Sequence, residues 1–371
     1  MISYEGRNRR TVNFLKAISF DYPEWIPCRV ALLPATWIKY RDELEAVILT
    51  HPRLFPDYEK GQKDFDEIDN PLYTEGRHRD CWGVVWENIE QGLDSIPVVH
   101  PLEDWWALDA YRAPDPLRDD AFGPRDWECV RRSLDQAKRR GDLAIGGGLW
   151  HGFMYMLLFY LRGFENFMLD LATDDPRLPR LIGMVEGYNT AVIRKYLELG
   201  AEYMTFGDDL GMQGSLPMSP RMWRKVIKPA YERVLRPCRE AGVPVYLHTD
   251  GHILEIIPDL IEVGVRVLNP QFRANGLEGL KDQALGKVAL DQDLDRQLFP
   301  FASPAQIHDH IGTVVEALGA PQGGLLLFAE CGPDVPLHNI DAICVALEQQ
   351  CHLPEASVLS ARTTSSELWQ T

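Results

Sequence analysis

From residue 143 onward, short apolar runs alternate with longer amphipathic ones, and this alternation constrains the fold of the 371-residue chain more than any other feature. The runs "LAIGGG" (143–148), "AEYMTF" (201–206), "VPVYLH" (243–248), "VRVLNP" (265–270), "KVALDQ" (287–292) and "GLLLFAEC" (324–331) each have the length of one strand and are mostly apolar. Between them, apolar residues recur three and four apart, as they do in helices. "SPRMWRKVIKPAYERVLRPCREAG" offers Ser219 as an N-cap, Pro220 at the first helical position and Gly242 past the end. "SPAQIHDHIGTVVEALG" repeats the device with Ser303 and Pro304. Strands buried on both faces and joined through helices make a parallel sheet. With the earlier "IPCRVALL" (26–33) seven strands can be counted, one short of a (β/α)8 barrel of the TIM type, here distorted. The eighth is sought near "SIPVVHPL" (95–102). It would lie in an irregular stretch, about 52–125, rich in Trp, Pro and charge. That stretch reads as an insertion over one end of a single barrel domain spanning 1–371, which also carries an N-terminal extension.

Composition excludes several function classes. A formal charge of −17 disfavours nucleic acid and anionic membrane surfaces, both of which need a basic face. No apolar run reaches the roughly 18 residues of a membrane span. The opening "MISYEGRNRRTVNFLKAISF" has no apolar core of a signal peptide. The seven cysteines are scattered and form no C-x-x-C pair, as in a reduced, cytoplasmic protein. A homodimer is compatible with all of this.

In such barrels chemistry sits at the carboxyl ends of the strands. Here those ends are unusually polar: Asp208 and Asp209, His248 and Asp250, Asn269 and Gln271, Asp291 and Gln292, Glu330 and Cys331. Residues two apart on a strand share a face, so His248 and Asp250 would both reach the mouth. Imidazole nitrogen and carboxylate oxygen are both zinc donors. The structural alternative makes Asp250 the cap of a helix starting at His252, and His248 a hydrogen-bonded core histidine. Asp208 and Asp209 are candidates for acid–base work or for holding a substrate hydroxyl. Being consecutive, at most one faces the lumen; a salt bridge and a cap is the alternative. Gln213, Asn269, Gln271, Asp291 and Gln292 would orient substrate, or serve only as loop hydrogen-bonders. "GGGLWHGF" (146–153) is neither G-x-G-x-x-G nor a P-loop, but it lets backbone approach a ligand and sets Trp150 and His151 beside it. Trp82, Trp86, Trp105 and Trp106 would suit a lid over a flat ring.

Several segments resemble the uroporphyrinogen decarboxylase superfamily: "YTEGRHRDCWGVVWE", "RGFENFMLDLATDDPRL", "GDDLGMQGSLPMSPRMWRKVIKPAYERVLRPCREAGVPVYLHTDGHILEIIPDLIEVGVRVLNPQ" and "ECGPDVPLHNIDAICVAL". The resemblance implies a distorted (β/α)8 barrel. Its decarboxylase branch carries an arginine signature of the type F-M-R-Q-A-G-R-Y. Here that region reads "CRVALLPATWIKYR", without the paired arginines that grip substrate carboxylates. Its methyltransferase branch binds zinc through H-x-C and a later cysteine. His248 and Cys331 stand in matching places, Asp250 replaces the middle cysteine, and Glu330 is the other candidate for the third position. Replacing thiolate by carboxylate makes zinc a harder Lewis acid, better suited to an oxygen leaving group. The resemblance thus implies a methyltransferase, and the harder zinc favours a small, aromatic methoxy compound as its methyl donor. The methyl would pass to a corrinoid (cobalamin). Because the chain lacks D-x-H-x-x-G, that cofactor would ride on a partner corrinoid protein. The alternatives are a metal-free decarboxylase or lyase using Asp208 or His248, and a barrel that binds a ligand without catalysis.

Overall fold

The computed structural model describes residues 3–68 and 70–352. Seven parallel strands form one curled sheet. In chain order they are β1 (Cys28–Leu32), β2 (Ile145–Gly146), β3 (Tyr203–Gly207), β4 (Val245–Thr249), β5 (Val265–Pro270), β6 (Ala289–Asp293) and β7 (Leu325–Cys331). Their spatial order is β1-β7-β6-β5-β4-β3-β2, so every neighbouring pair except β1–β7 is consecutive in the chain. This is the distorted TIM-type architecture expected from the alternation of runs. Each expected strand falls on its apolar run, three of them ending one residue beyond it. The helices follow the same signals: Ser219 caps Pro220–Glu240, and Ser303 with Gln306 forms a capping box on Pro304–Leu318.

The expected eighth strand does not join this sheet. Ile96–Val99 pairs antiparallel with Val85–Asn88, which pairs in turn with Gly76–Arg79. Pro97 lacks the N–H that a central strand must donate, and Val85–Asn88 offers a partner close by in sequence. Among the described residues the curl therefore stays open between β1 and β2. The strand β1 shows the consequence: all five of its residues are at least partly exposed, whereas all five of β6 are buried.

Outward-facing strand residues pack against the helices, which contact one another in sequence order around the sheet. Inward-facing ones close the base of the lumen, where Tyr203, Val267, Ala289 and Leu326 meet Leu15 and Ile18 of the helix Arg9–Ile18. The stretch 52–125 lies across the other end. Its Tyr73, Trp86, Asp94 and Phe122 help to line the lumen cavity. No described helix is long and apolar enough to cross a membrane.

Candidate active site

Strand alternation decides which polar groups reach the cavity. On β4, Tyr246 and His248 face inward, and Asp250 continues the series just past the strand. On β5 the inward residues are Val267 and Asn269, and on β7 Leu326, Phe328 and Glu330. Register pairs Gly207 with His248 and Asn269 with His248, so β3, β4 and β5 present their ends at one level. Together with Asp209, Asp291 and Trp150 these residues line a cavity of about 1210 Å³.

At its mouth His151, Asp209 and His248 converge, with one donor atom from each lying within 4.8 Å of the others. His151 Nε2 is 3.0 Å from Asp209 Oδ2, and His248 Nε2 is 3.8 Å from Asp209 Oδ1. The glycine-rich turn after β2 makes this approach possible. A side chain at Gly207 would place its Cβ 2.5 Å from His151 Nδ1, so only glycine leaves room for the ring. Asn269 sets the other histidine. Its amide nitrogen donates to the Asp291 carbonyl, which turns its oxygen towards His248 Nδ1 at 2.6 Å. That nitrogen is therefore the donor, and Nε2 is left for the cavity.

The three groups favour one another's charged forms. Burial works against a charged His248, but Asp250, Asp209 and the Asn269 bond outweigh it and push the ring up to about 9. Burial would raise Asp209, yet its bond to His151 and the charge of His248 hold it below the usual carboxylate range. His151 is raised, because Asp209 outweighs the burial that would lower it.

Beside the triad lies a second charged group that the sequence reading missed. Arg296 reaches Glu330 at 2.7 Å, Asp293 at 2.8 Å and Asp250 at 2.9 Å. Asp250 also approaches His248 Nε2 at 3.3 Å. It is thus not the cap of the following helix, which begins only at Leu254. Asp250 and Glu330 do face the cavity as expected, but each is engaged by the guanidinium. Burial still pushes Asp293 up to about 7, in spite of Arg296. The signal was present in "DQDLDRQ", where three acids precede one arginine.

The expected ligand Cys331 is turned away. Glu330 faces inward, so its neighbour must face the helices. Cys331 is fully buried there, does not line the cavity, and its thiol is pushed far up by burial.

Asp208 and Asp209 divide as consecutive residues must. Asp208 is fully buried on the outer side, where its carboxylate accepts the N–H groups of Tyr155 (2.6 Å) and Met156 (2.9 Å) and the Tyr231 hydroxyl. It caps the helix Tyr155–Arg162 from across the turn. Burial nevertheless raises it to about 6. Asp208 therefore leaves the list of residues that meet substrate. Gln292 is also fully buried on the outer face, donating to Pro270 O and Asp293 O. Gln271 accepts Gly251 N–H in the loop after β4, and Gln213 is exposed. Neither lines the cavity. Trp150 does line it, stacked on Phe122 at 5.3 Å and flanked by Trp86 at 6.1 Å. Of the four tryptophans expected in a lid only Trp86 lines the cavity; Trp82, Trp105 and Trp106 do not.

Residues 88–350 match the family model described as uroporphyrinogen decarboxylase (URO-D). Among solved structures the chain is similar to a methyltransferase from Methanosarcina mazei. That likeness has 16% identity and a TM-score of 0.60, covering 92% of this chain and 99% of that one. A B12-independent methionine synthase from Shewanella sp. W3-18-1 aligns at 10% identity and a TM-score of 0.40, over 62% of this chain and 67% of that one. At these identities only the first likeness carries weight, and it speaks to the fold. No curated protein sequence is a significant match.

Proposed function

The chain belongs to the uroporphyrinogen decarboxylase family, and from that premise we propose that it is a methyltransferase whose zinc ion is held by His151, Asp209 and His248. One observation carries this reading. Two imidazoles and a carboxylate meet at the strand ends of a family barrel, with His248 fixed by Asn269 through its other nitrogen. Two nitrogens and one oxygen form a donor set that suits catalytic zinc and leaves a position open. The set expected from the resemblance does not fit, because Cys331 faces the helices and Arg296 engages Asp250 and Glu330. Zinc in such a site supplies a Lewis acid that polarises the oxygen of a methyl donor.

The remaining residues bind, orient and shield. Asn269 keeps His248 Nε2 directed into the cavity. Arg296 occupies Asp250 and Glu330, so these acids compete less with the triad for the cation. Trp150 and Phe122 give a flat wall that suits an aromatic methoxy compound. Asp208 pins the helix from which Met156 and Tyr160 reach the cavity. The methyl acceptor is a cob(I)alamin carried by a partner corrinoid protein.

The test is methyl transfer. Zinc-loaded protein mixed with methoxyarenes and a cob(I)alamin carrier should form methylcobalamin, followed by its absorbance. Asp209→Asn should slow this by about 100-fold or more. Failure of zinc-loaded protein to methylate the carrier from any methoxyarene overturns the reading. A second reading, a metal-free lyase, is favoured by the ion pairs that hold His248 charged beside Asp250 and Asp209. Turnover of a carboxylated substrate that survives a chelator would select it.

A further inference from the structure

The triad uses only one end of the cavity. A third charged group lies within the lumen, on the open edge of the sheet. Arg29 of β1 turns inward, and half of its side chain remains accessible, although Asp291, Tyr246 and Phe328 surround it. Nε and Nη2 both donate to Asp291 Oδ2, at 3.3 and 2.9 Å, and Nη2 also donates to the Tyr246 hydroxyl at 2.8 Å. One edge of the guanidinium is thus occupied. Nη1 has no hydrogen-bond partner among the described residues. The plane is held flat by Phe328, whose ring centre lies 3.7 Å from the guanidinium carbon.

A second, independent group is unsatisfied beside it. Tyr203 is 3% exposed and its hydroxyl is buried without a partner among the described residues. Its ring lies 6.5 Å from that of Tyr246, and the charges it feels are those of Asp291, Tyr246 and Arg29. Buried donors left unpaired are costly and uncommon, so an unpaired phenol beside a half-used guanidinium points to an absent acceptor. The surrounding walls are apolar: Phe14, Leu143, Val267 and Leu326 line the same cavity.

This chemistry selects a ligand. The phenol and the free guanidinium N–H can share one acceptor, and a carboxylate is the acceptor that pairs best with a guanidinium. Asp291 already balances Arg29, so a monoanion fits better than a dianion such as phosphate. Apolar walls call for an apolar body. We propose that Arg29 and Tyr203 form a carboxylate-binding site in the barrel lumen, for an organic monocarboxylate with an aromatic body. Its carboxylate accepts from Arg29 Nη1 and the Tyr203 hydroxyl, and its body lies in the cavity shared with His151, Asp209 and His248. That the bound acid is the methyl donor rests on the methyl-transfer reading; that a carboxylate binds does not.

Calorimetric titration separates the two. Chelator-treated protein is titrated with 4-methoxybenzoate, 3-phenylpropanoate and the neutral 4-methoxybenzamide. The acids should bind at least about 10-fold tighter than the amide. Arg29→Gln/Asp291→Asn removes both charges together, so no buried carboxylate is left alone, and it should abolish the preference. Tyr203→Phe should weaken acid binding about 5- to 10-fold without lowering thermal stability, because its hydroxyl makes no bond to the described residues. Binding of neither acid, equal binding of acid and amide, or a preference that survives the double variant overturns the site. Acid binding without methyl transfer by zinc-loaded protein leaves the site standing and removes the methyl-transfer reading alone.

Discussion

Asp208→Asn tests whether the two adjacent aspartates have separate duties. The Asp208 carboxylate is fully buried and accepts three donors: the N–H groups of Tyr155 and Met156 and the Tyr231 hydroxyl. Two of these are orphan donors at the start of the helix Tyr155–Arg162, whose dipole favours a negative charge there. Asparagine keeps the shape but replaces one acceptor oxygen by an NH2 that opposes a donor. The Tyr231 hydroxyl can rotate to accept; the backbone N–H groups cannot. A charge-assisted hydrogen bond contributes about 1.5–3 kcal/mol, so loss of one with weakening of another costs about 3 kcal/mol. At about 2.1 cal/mol/K per residue over 371 residues, that lowers Tm by about 4 °C. Scanning calorimetry reads this directly. Asp209→Asn, on a partly exposed mouth residue, should shift Tm by less than about 1 °C. An Asp208→Asn protein with unchanged Tm and lost turnover would refute the reasoning and return Asp208 to the chemistry.

Other perturbations follow from the same geometry. Arg296→Gln leaves Asp250, Asp293 and Glu330 uncompensated and should destabilise the protein by about 2–4 kcal/mol, with partial recovery on adding Mg2+ or Ca2+, measured by thermal melts. Asp293 gives a pH signature. Its folded pKa of about 7 lies above the ordinary carboxyl value, so the folded state holds the proton more tightly. Its contribution to stability therefore falls as pH rises from about 4 to about 7. Asp293→Asn should raise Tm relative to the parent at pH 8 and change it little at pH 5; the opposite ordering would show that Arg296, not burial, governs this carboxyl.

Most of the fold was legible because parallel strands are apolar on both faces, and such runs stand out between helical periods. The open seam was not legible. Ile96–Val99 looks like a strand and is one, and only its pairing separates it from the barrel. Alternation also told that Asp208 and Asp209 diverge. Applied to Glu330 and Cys331, the same rule shows that they could not both face the mouth, and the matching of Cys331 to a family ligand obscured this. His151 was found as a neighbour of substrate; its meeting with Asp209 and His248 depends on Gly207, whose role appears only when the turn is folded. Arg296 had no local signature beyond its acidic surroundings, since its partners Asp250 and Glu330 come from other strand ends.

The central claim is that His151, Asp209 and His248 hold the metal, and elemental analysis after zinc reconstitution tests it most directly. The parent should hold about one zinc per chain. His151→Ala, Asp209→Asn and His248→Ala should each lose most of it, while Cys331→Ala, altered on the helix side, should keep it. Zinc retained by His151→Ala and lost from Cys331→Ala would contradict the account.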